Sequence, residues 1–250
     1  MLLIERIYNH LFSGIERDAE WFRWHEETRK KISDIHMFGV PPAELSDPTE
    51  IKYYTWLTEE ILNLINRIPN TILEVGGGSG ALSFYLQEET DAKCTIVDNS
   101  NLALEYASLV FRESRAAFIK GDATNLPIKS ESYDFVHSIG LIEHFSDEVI
   151  YKMIKEMIRV TKSSGLIYVA VPNYFSTDLI SIWRRCGKGT ERYITSRRLA
   201  SYLDIKKVRI VHYGHCQFML NARSLIPRKI EAFLGKAGLG FLNFVLCEKC

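Results

Sequence analysis

The sequence predicts an α/β fold in which helices cover both faces of a mostly parallel β-sheet. From Thr71 onward, short segments rich in β-branched and aromatic residues alternate with helical patterns. The first of these segments are almost continuously apolar, as is usual for strands that are buried on both faces. A chain of 250 residues with 46% hydrophobic content is long enough for one such domain with additions.

The region before the first predicted strand has a helical pattern. Residues 1–67 are rich in aromatic and charged side chains, and the prolines of the segment 39–42 interrupt them because proline cannot continue a helix. Asp47 and Pro48 are typical of the cap and the first turn of a further helix, whose apolar residues recur at helical spacing over 51–68. We expect these helices to form an extension or lid.

The alternating region then defines the rest of the fold. The predicted strands are Thr71–Val75, Lys93–Asp98, Ala116–Lys120, Tyr133–Ile139, Leu166–Val171, Lys206–Tyr213 and about Phe241–Cys247. The predicted helices are Leu82–Glu88, Leu102–Glu113, Asp147–Thr161 and Ser196–Leu203. We expect residues 68–250 to form one domain, with an insertion or lid at about 173–195.

Charge and cysteine content limit the classes of partner and location. The 31 basic and 31 acidic side chains balance to zero net charge, which argues against a nucleic-acid partner, since nucleic-acid binders usually carry a basic excess. No window approaches the ~20 apolar residues that a membrane helix needs, and the start of the chain lacks a secretory pattern. The five scattered cysteines do not suggest disulfides. We expect a cytoplasmic protein with no membrane contact.

The strongest functional signal is the segment Glu74–Gly80, where an apolar strand ends in an acidic residue and turns through four glycines toward a helix. Glycine permits positive φ angles and lets a ligand approach without meeting a Cβ atom. The following helix offers unpaired N–H groups to polar or anionic ligand atoms. Many nucleotide-binding folds share such a turn, and a tight turn without a ligand is the alternative.

Three further strands end in polar residues. Asp98 closes the second strand about twenty residues after the glycine turn, where a carboxylate can bind ribose hydroxyls or instead cap the next helix. Asp122 follows the third strand, and the segment 139–145 follows the fourth. Because the carboxyl ends of parallel strands meet at one edge of a sheet, we expect a single ligand crevice there.

These residues closely resemble the class I methyltransferases that use S-adenosylmethionine. The resemblance covers about Thr71–Val171 well and is especially close to the small-molecule branch related to ubiquinone-biosynthesis enzymes. It implies a Rossmann-like, doubly wound sheet of seven strands that ends in an antiparallel hairpin. It also implies S-adenosylmethionine as the cofactor and a small-molecule methyl acceptor.

The resemblance implies roles for individual residues. Glu74, Gly76, Gly78 and Gly80 match the loop around the methionine part of the cofactor. Asp98 matches the ribose-binding acid. Asp122 and Ala123 match the adenine-reading position. The neighbouring residues Asn99 and Ile139 are expected to contact the cofactor as well.

His144 is the candidate catalytic residue, because a nearby base can remove a proton from a hydroxyl or amine acceptor. A histidine that merely packs at a helix start is the alternative. We predict no metal site, because Gly140 stands where the metal-dependent RNA methyltransferases carry the first acid of their Glu-x-x-Glu-His motif.

Two other functions remain open on the sequence. A nicotinamide-dependent oxidoreductase would place its third glycine at position 81, which is Ala81, although that family tolerates alanine there. A non-catalytic protein could retain S-adenosylmethionine binding as a scaffold. The sequence does not identify the acceptor, the atom that is methylated or the oligomeric state.

Overall fold

The fold is described from a computed structural model. It describes residues 17–112, 115–173, 176, 191–216 and 240–250, with only the backbone of residues 17–23 and 38. The predicted insertion at about 173–195 lies largely outside the described residues, as do residues 1–16.

A seven-stranded sheet forms the centre of the protein, and its strand order is β3-β2-β1-β4-β5-β7-β6. The first five strands are parallel, whereas β7 runs antiparallel to both of its neighbours. The strands are β1 (Thr71–Val75), β2 (Lys93–Asp98), β3 (Ala117–Lys120), β4 (Tyr133–Ile139), β5 (Thr161–Pro172), β6 (Val208–Cys216) and β7 (Leu242–Lys249). This arrangement confirms the predicted fold class, including the antiparallel final hairpin.

Helices cover the sheet on both faces. They are α1 (Arg17–Phe38), α2 (Ala43–Ser46), α3 (Pro48–Ile65), α4 (Ala81–Thr90), α5 (Asn101–Phe111), α6 (Asp147–Val160) and α7 (Ser196–Ser201). The first three helices precede the sheet, as the amino-terminal pattern indicates. The Asp47 side chain accepts hydrogen bonds from the backbone N–H groups of Thr49 and Glu50, which fixes the start of α3 at Pro48.

Alternation along β1 separates the two hydrophobic cores. Leu73 and Val75 belong to the core that contains α6 and α7, and Ile72 belongs to the core that contains α3 and α4. Successive side chains of a strand point to opposite faces, so both faces of β1 are buried. This double burial explains the continuous apolar run in the sequence.

Several element boundaries differ from the sequence prediction. Strand β5 begins at Thr161 rather than Leu166, since Thr161 pairs with Tyr133 of β4 ahead of an irregularity in the register. Strand β6 runs from Val208 to Cys216, further along the chain than predicted, because β7 pairs with it as far as Cys216. No helix in the described ranges is sufficiently long and apolar to span a bilayer.

Candidate functional site

A crevice opens at the carboxyl ends of the strands, where the strand order reverses between β1 and β4. Ligands of open α/β sheets bind at such topological switch points. Two adjoining cavities form the crevice, and both are lined by Gly76, Asp98, Leu141 and Phe145. We call them the Trp24 cavity, of about 270 Å³, and the Asp122 cavity, of about 500 Å³, after a residue in each wall.

The turn after β1 forms the floor of the Trp24 cavity. Gly76, Gly78 and Gly80 have φ angles of 70°, 54° and 67°, which residues with a Cβ rarely adopt. The backbone N–H of Gly76 donates to the carbonyl of Val97 at 2.8 Å, which ties the turn to β2. Because the glycines allow these φ angles, the turn can expose its backbone N–H and C=O groups to the crevice.

The glycines of this turn differ in their surroundings. A Cβ at Gly78 would meet no atom within 4 Å, whereas one at Gly76 would lie 2.7 Å from the side chain of Leu141. Gly80 lies at the start of α4, where a Cβ would come within 3.0 Å of Phe111. Gly76 and Gly78 therefore line the crevice, while Gly80 permits close packing between α4 and α5.

Asp98 lies at the carboxyl end of β2 and is 8% exposed. Its Oδ2 accepts a hydrogen bond from the N–H of Gly78 at 3.1 Å, and its Oδ1 accepts one from the N–H of Ser100 at 2.8 Å. Burial raises the pKa of the carboxyl, although these backbone donors oppose the rise. The cap of α5 is the Ser100 side chain, which bonds to the N–H of Ala103.

The loop after β3 lines the Asp122 cavity. Oδ1 of Asp122 accepts hydrogen bonds from both the N–H and the hydroxyl of Thr124, each at 2.8 Å. Ala123 and Asn99 lie in the same cavity wall. The hydrogen bonds from Thr124 to Asp122 hold this loop in shape, and the loop forms a polar part of the crevice wall.

The loop after β4 forms the remaining wall. Ile139 ends β4, and Gly140, with a φ of 71°, begins a turn into a short 3₁₀ helix at Ile142–His144. His144 lines the Trp24 cavity with its side chain 27% exposed. Its Nε2 is 3.9 Å from Oε1 of Glu143, whose carboxyl is buried. A carboxylate at this distance stabilises a positive charge on the imidazole.

Contacts from residues far along the chain brace this loop. The N–H of Arg192 donates to the carbonyl of Glu143 at 2.9 Å, and its guanidinium bonds to the carbonyl of Phe145. The guanidinium also pairs with Asp147 at 2.8 Å, and Asp147 accepts further bonds from Arg198 and Tyr202. Burial raises the pKa of Asp147, but the hydrogen bonds from Arg192 and Tyr202 and the charge of Arg192 bring it below its usual value.

Helix α1 closes one side of the crevice. Trp24 lines the cavity that bears its name, and Nε2 of the adjacent His25 is 3.3 Å from the hydroxyl of Ser100 at the start of α5. The amino-terminal region thus contributes at least one wall residue. The predicted role of residues 1–67 as a lid stays a prediction.

Glu74 lies behind the glycine turn rather than in the wall of either cavity. It is 6% exposed, and burial raises its pKa to about 7. Its Oε2 has no hydrogen-bond partner within the part of the chain that is described. A buried carboxyl oxygen without a partner is unusual and calls for a ligand or a water molecule.

The fold brings most of the predicted site residues to one place. Seven of the predicted cofactor residues line the two cavities: Gly76, Gly78, Asp98, Asn99, Asp122, Ala123 and Ile139. His144 joins them, while Glu74 and Gly80 lie behind the wall. Within the described ranges, no group of three or more acidic, histidine or cysteine side chains is placed to hold a metal ion.

Sequence reasoning missed several wall residues as site residues. Trp24, Leu141, Phe145, Val149 and Met153 line the crevice as well. Leu141 and Phe145 belong to the segment 139–145, which the sequence places at the crevice, but neither was predicted as a site residue by itself. Nothing in the helical pattern of residues 1–67 distinguishes Trp24 from a core tryptophan.

Comparisons with known proteins find similar sequences. Residues 72–165 match a family of methyltransferase domains. Ajmaline N-methyltransferase of Rauvolfia serpentina is 32% identical over 105 residues, which cover 40% of this chain and 35% of that protein. The chloroplastic 2-methyl-6-phytyl-1,4-hydroquinone methyltransferase of Spinacia oleracea is 32% identical over 146 residues, covering 56% of this chain and 41% of that protein. The matches span less than half of these relatives.

Solved structures share the whole fold. The N-methyltransferase NodS of Bradyrhizobium japonicum, in complex with S-adenosyl-l-homocysteine, superposes with a TM-score of 0.59 over 90% of this chain and 98% of that chain. Its sequence identity is 14%, so the similarity establishes the fold alone. The domain match thus shows a methyltransferase domain at residues 72–165 of this chain, and the solved structures show that its fold is the one that such enzymes have.

Proposed function

We propose that this protein binds S-adenosylmethionine in the crevice and transfers its methyl group to a small-molecule acceptor. The observation that carries the proposal is the convergence of the glycine turn, Asp98 and the Asp122 loop around two adjoining cavities. Glycines that expose backbone, followed by acids at the ends of the next two strands, suit a ligand with an amino acid, a ribose and a base in that order.

The residues fit this cofactor in three respects. The space beside Gly78 is open, so a ligand can approach the backbone there. Asp98 uses each carboxylate oxygen for one backbone N–H, and a carboxylate has further lone pairs for two ribose hydroxyls. The partnerless Oε2 of Glu74 lies behind the same turn, where a water molecule can link it to a cationic amino group in the crevice.

The bound cofactor supplies an electrophilic methyl group on a sulfonium centre. Methyl transfer is an in-line displacement, so the main task of the protein is to hold the acceptor atom in line with that group. Leu141 and Phe145 contribute apolar walls to both cavities. Such walls exclude water, which strengthens the electrostatic interactions within the crevice.

His144 is the residue that we assign to proton removal. Its side chain is partly exposed to the Trp24 cavity, so an acceptor amine or hydroxyl there lies within reach of the imidazole. The nearby Glu143 carboxyl offsets the positive charge that the ring gains when it takes the proton. The same contact keeps the ring in position against the loop.

The acceptor is expected to be small and largely apolar. The wall of the Trp24 cavity includes Trp24, Leu141 and Phe145, and its charged or ionisable members are Asp98 and His144. The names of two relatives give ajmaline, methylated at nitrogen, and 2-methyl-6-phytyl-1,4-hydroquinone as their acceptors. Zero net charge also argues against a nucleic-acid acceptor. A cytoplasmic location remains part of this proposal.

Calorimetric titration with S-adenosylhomocysteine and, separately, with NADH tests the cofactor assignment. We expect micromolar binding of S-adenosylhomocysteine alone, and Asp98→Ala should weaken it about 100-fold, because hydrogen bonds to a charged group are each worth roughly 1.5–3 kcal/mol. Asp134→Ala is the matched control, since Asp134 pairs with Lys162 and Thr71 at the opposite edge of the sheet. Binding of NADH instead, or of neither ligand, would refute the proposal.

A further inference from the structure

Trp24 lines the crevice but takes no part in the mechanism above. It supplies the wall of the Trp24 cavity on the side of α1, whereas Gly76 and Gly78 supply the wall at the turn after β1 and Phe145 supplies part of the wall at the loop after β4. The side chain of Trp24 is partly buried. The cavity therefore lies between three separate parts of the chain, and the wall from α1 is aromatic.

One buried face of α1 holds this helix against α5. Thr28 and Ile32 are 4% and 7% exposed, and Ile32 packs in one cluster with Tyr106 of α5. Trp24 and His25 lie one helical turn before Thr28, so they continue the same face toward the crevice. The packing of α1 on α5 thus brings both side chains to the start of α5 and the cavity beside it.

His25 ties this part of α1 to the cradle of the proposed cofactor. Its Nε2 lies within hydrogen-bond distance of the hydroxyl oxygen of Ser100, at 3.3 Å. The N–H of Ser100 donates to Oδ1 of Asp98, and the N–H of Gly78 donates to Oδ2 of the same carboxylate. The rings of Trp24 and His25 are in contact, with their centroids 5.4 Å apart. The position of Trp24 is therefore linked through His25 and Ser100 to the carboxylate that the ribose is expected to use.

The aromatic wall favours one shape of acceptor. Trp24 and Phe145 both line the cavity that His144 lines. Aromatic side chains gain energy from offset stacking or edge-to-face contact with another ring, beyond the gain from the buried area. A saturated ring of the same size gains the buried area alone. The volume of about 270 Å³ is just below the usual range of ligand pockets, about 300–1,000 Å³, so it suits a small ring system.

We propose that Trp24 is the specificity-determining residue for the acceptor, that this acceptor is a flat apolar ring bearing the reacting hydroxyl or amine, and that His25 is a positioning residue that holds Trp24 in the cavity wall. This role rests on the proposed function. Trp24 and Phe145 contact the ring, and His144 takes the proton from its polar group. His25 acts through Trp24 and needs no contact with the acceptor.

Calorimetric titration of 2-naphthol and of decahydro-2-naphthol into the full chain saturated with S-adenosylhomocysteine tests this role. The two probes share a carbon skeleton and a hydroxyl group, but only 2-naphthol is flat. We expect the wild type to bind 2-naphthol about tenfold more tightly than the saturated probe. Trp24→Leu keeps an apolar side chain and should reduce this preference to about twofold, whereas Trp24→Phe keeps an aromatic face and should retain most of it.

His25→Leu should reduce the preference to about threefold, because the neighbouring Trp24 is then no longer held through Ser100. His25→Gln keeps a polar amide near the position of Nε2 and should restore the wild-type preference. His36→Leu is the matched control, since His36 is exposed in the last turn of the same helix. It should leave the preference unchanged.

Trp56→Leu is the control for loss of a tryptophan. Trp56 lies on α3, where the Lys52 ammonium is 4.7 Å from the centre of its ring, and it is not among the residues that line the two cavities. It should leave the preference unchanged, whatever its effect on Tm.

The outcomes separate this role from the proposed function. A wild type that binds S-adenosylhomocysteine but not 2-naphthol, or that binds the two probes equally, would overturn the role of Trp24, as would an unchanged preference in Trp24→Leu. Loss of S-adenosylhomocysteine binding in Trp24→Leu alone would assign Trp24 to the cofactor instead. An unchanged preference in His25→Leu would remove the positioning role of His25. Failure of the wild type to bind S-adenosylhomocysteine would overturn the proposed function and this role together.

Discussion

The two sides of the crevice are built in different ways. The cradle side, formed by the turns after β1, β2 and β3, consists largely of backbone and of acids at strand ends, held by hydrogen bonds such as that from Gly78 to Asp98. The loop side, formed by the loop after β4 and by Trp24 of α1, consists of side chains. Its geometry depends on distant residues, as in the contacts of Arg192 with Glu143 and Phe145.

This difference indicates how the two sides can change. The cradle side follows from the sheet and from a local sequence pattern, so it suits a constant ligand such as a cofactor. The loop side can take new side chains without disturbing the sheet, so it suits a variable ligand such as the acceptor. Substitutions on the cradle side should therefore affect cofactor affinity and substitutions on the loop side should affect turnover.

Glu74→Gln should give the largest change, and on the cradle side. The pKa of Glu74 is about 7 in the folded protein, above its usual 4.5. The carboxyl therefore contributes stability that is fully present below pH 4.5 and is lost as the pH rises through 7, whereas glutamine does not titrate. The unfolding free energy of the variant minus that of the wild type should thus be larger at pH 8 than at pH 5. The increase between the two pH values should be at most about 3 kcal/mol. Urea denaturation without cofactor at both pH values measures this difference.

Asp134→Asn serves as the control for Glu74→Gln. Burial raises the pKa of Asp134, but its bonds from Lys162 and Thr71 lower it below the usual value, so no titration is expected between pH 5 and 8. A difference between Glu74→Gln and wild type that is the same at both pH values would show that Glu74 is ionised throughout.

His144→Asn should separate the loop side from the cradle side. We expect turnover with an acceptor found by screening to fall about 100-fold, because a general base contributes at least that factor. The affinity for S-adenosylhomocysteine should change less than about threefold, since the cradle side supplies most of the proposed cofactor contacts. Steady-state kinetics and calorimetry on the same preparations make this comparison. Equal turnover in the variant would assign His144 a packing role.

Gly78→Ala should weaken the binding of S-adenosylhomocysteine about tenfold, because its Cβ would enter the space beside the turn. Gly39→Ala is a close match, since Gly39 has a φ of 64° and a Cβ there would also meet no atom within 4 Å. Both substitutions should cost about 1 kcal/mol of stability from the left-handed backbone. Similar affinity losses in the two variants would show that the effect comes from strain and not from contact with the ligand.

Asp147→Asn should give the smallest change. The variant keeps the shape of the side chain but loses the negative charge with which Arg192 and Arg198 both pair. We expect its unfolding free energy to be lower by about 1 kcal/mol, because these ion pairs are only partly buried. Turnover should fall severalfold while cofactor affinity stays within about twofold, as the brace acts on the loop side. A fall in cofactor affinity without loss of turnover would reverse the proposed division of the crevice.

Most of the cradle side could be predicted from the sequence because it depends on local patterns. Four glycines after an apolar strand require a turn with positive φ angles, and the strand that follows brings Asp98 to the same edge of the sheet. The same logic placed Asp122 and Ile139 in the crevice wall. It did not separate Gly80, which supports helix packing, from Gly76 and Gly78, because all three share the same backbone conformation.

The sequence by itself therefore determined the fold class, the methyltransferase domain at residues 72–165 and the cradle side, since these follow from periodicity and from residues close together in the chain. Only the tertiary structure decided that Trp24 reaches the crevice, that Arg192 braces the loop after β4 and that the buried side chains of His137 and Ser83 meet. These contacts join residues that are far apart in the chain, and no local pattern encodes them. They arise when the sheet and its helices pack together and bring side chains from different elements within hydrogen-bond distance.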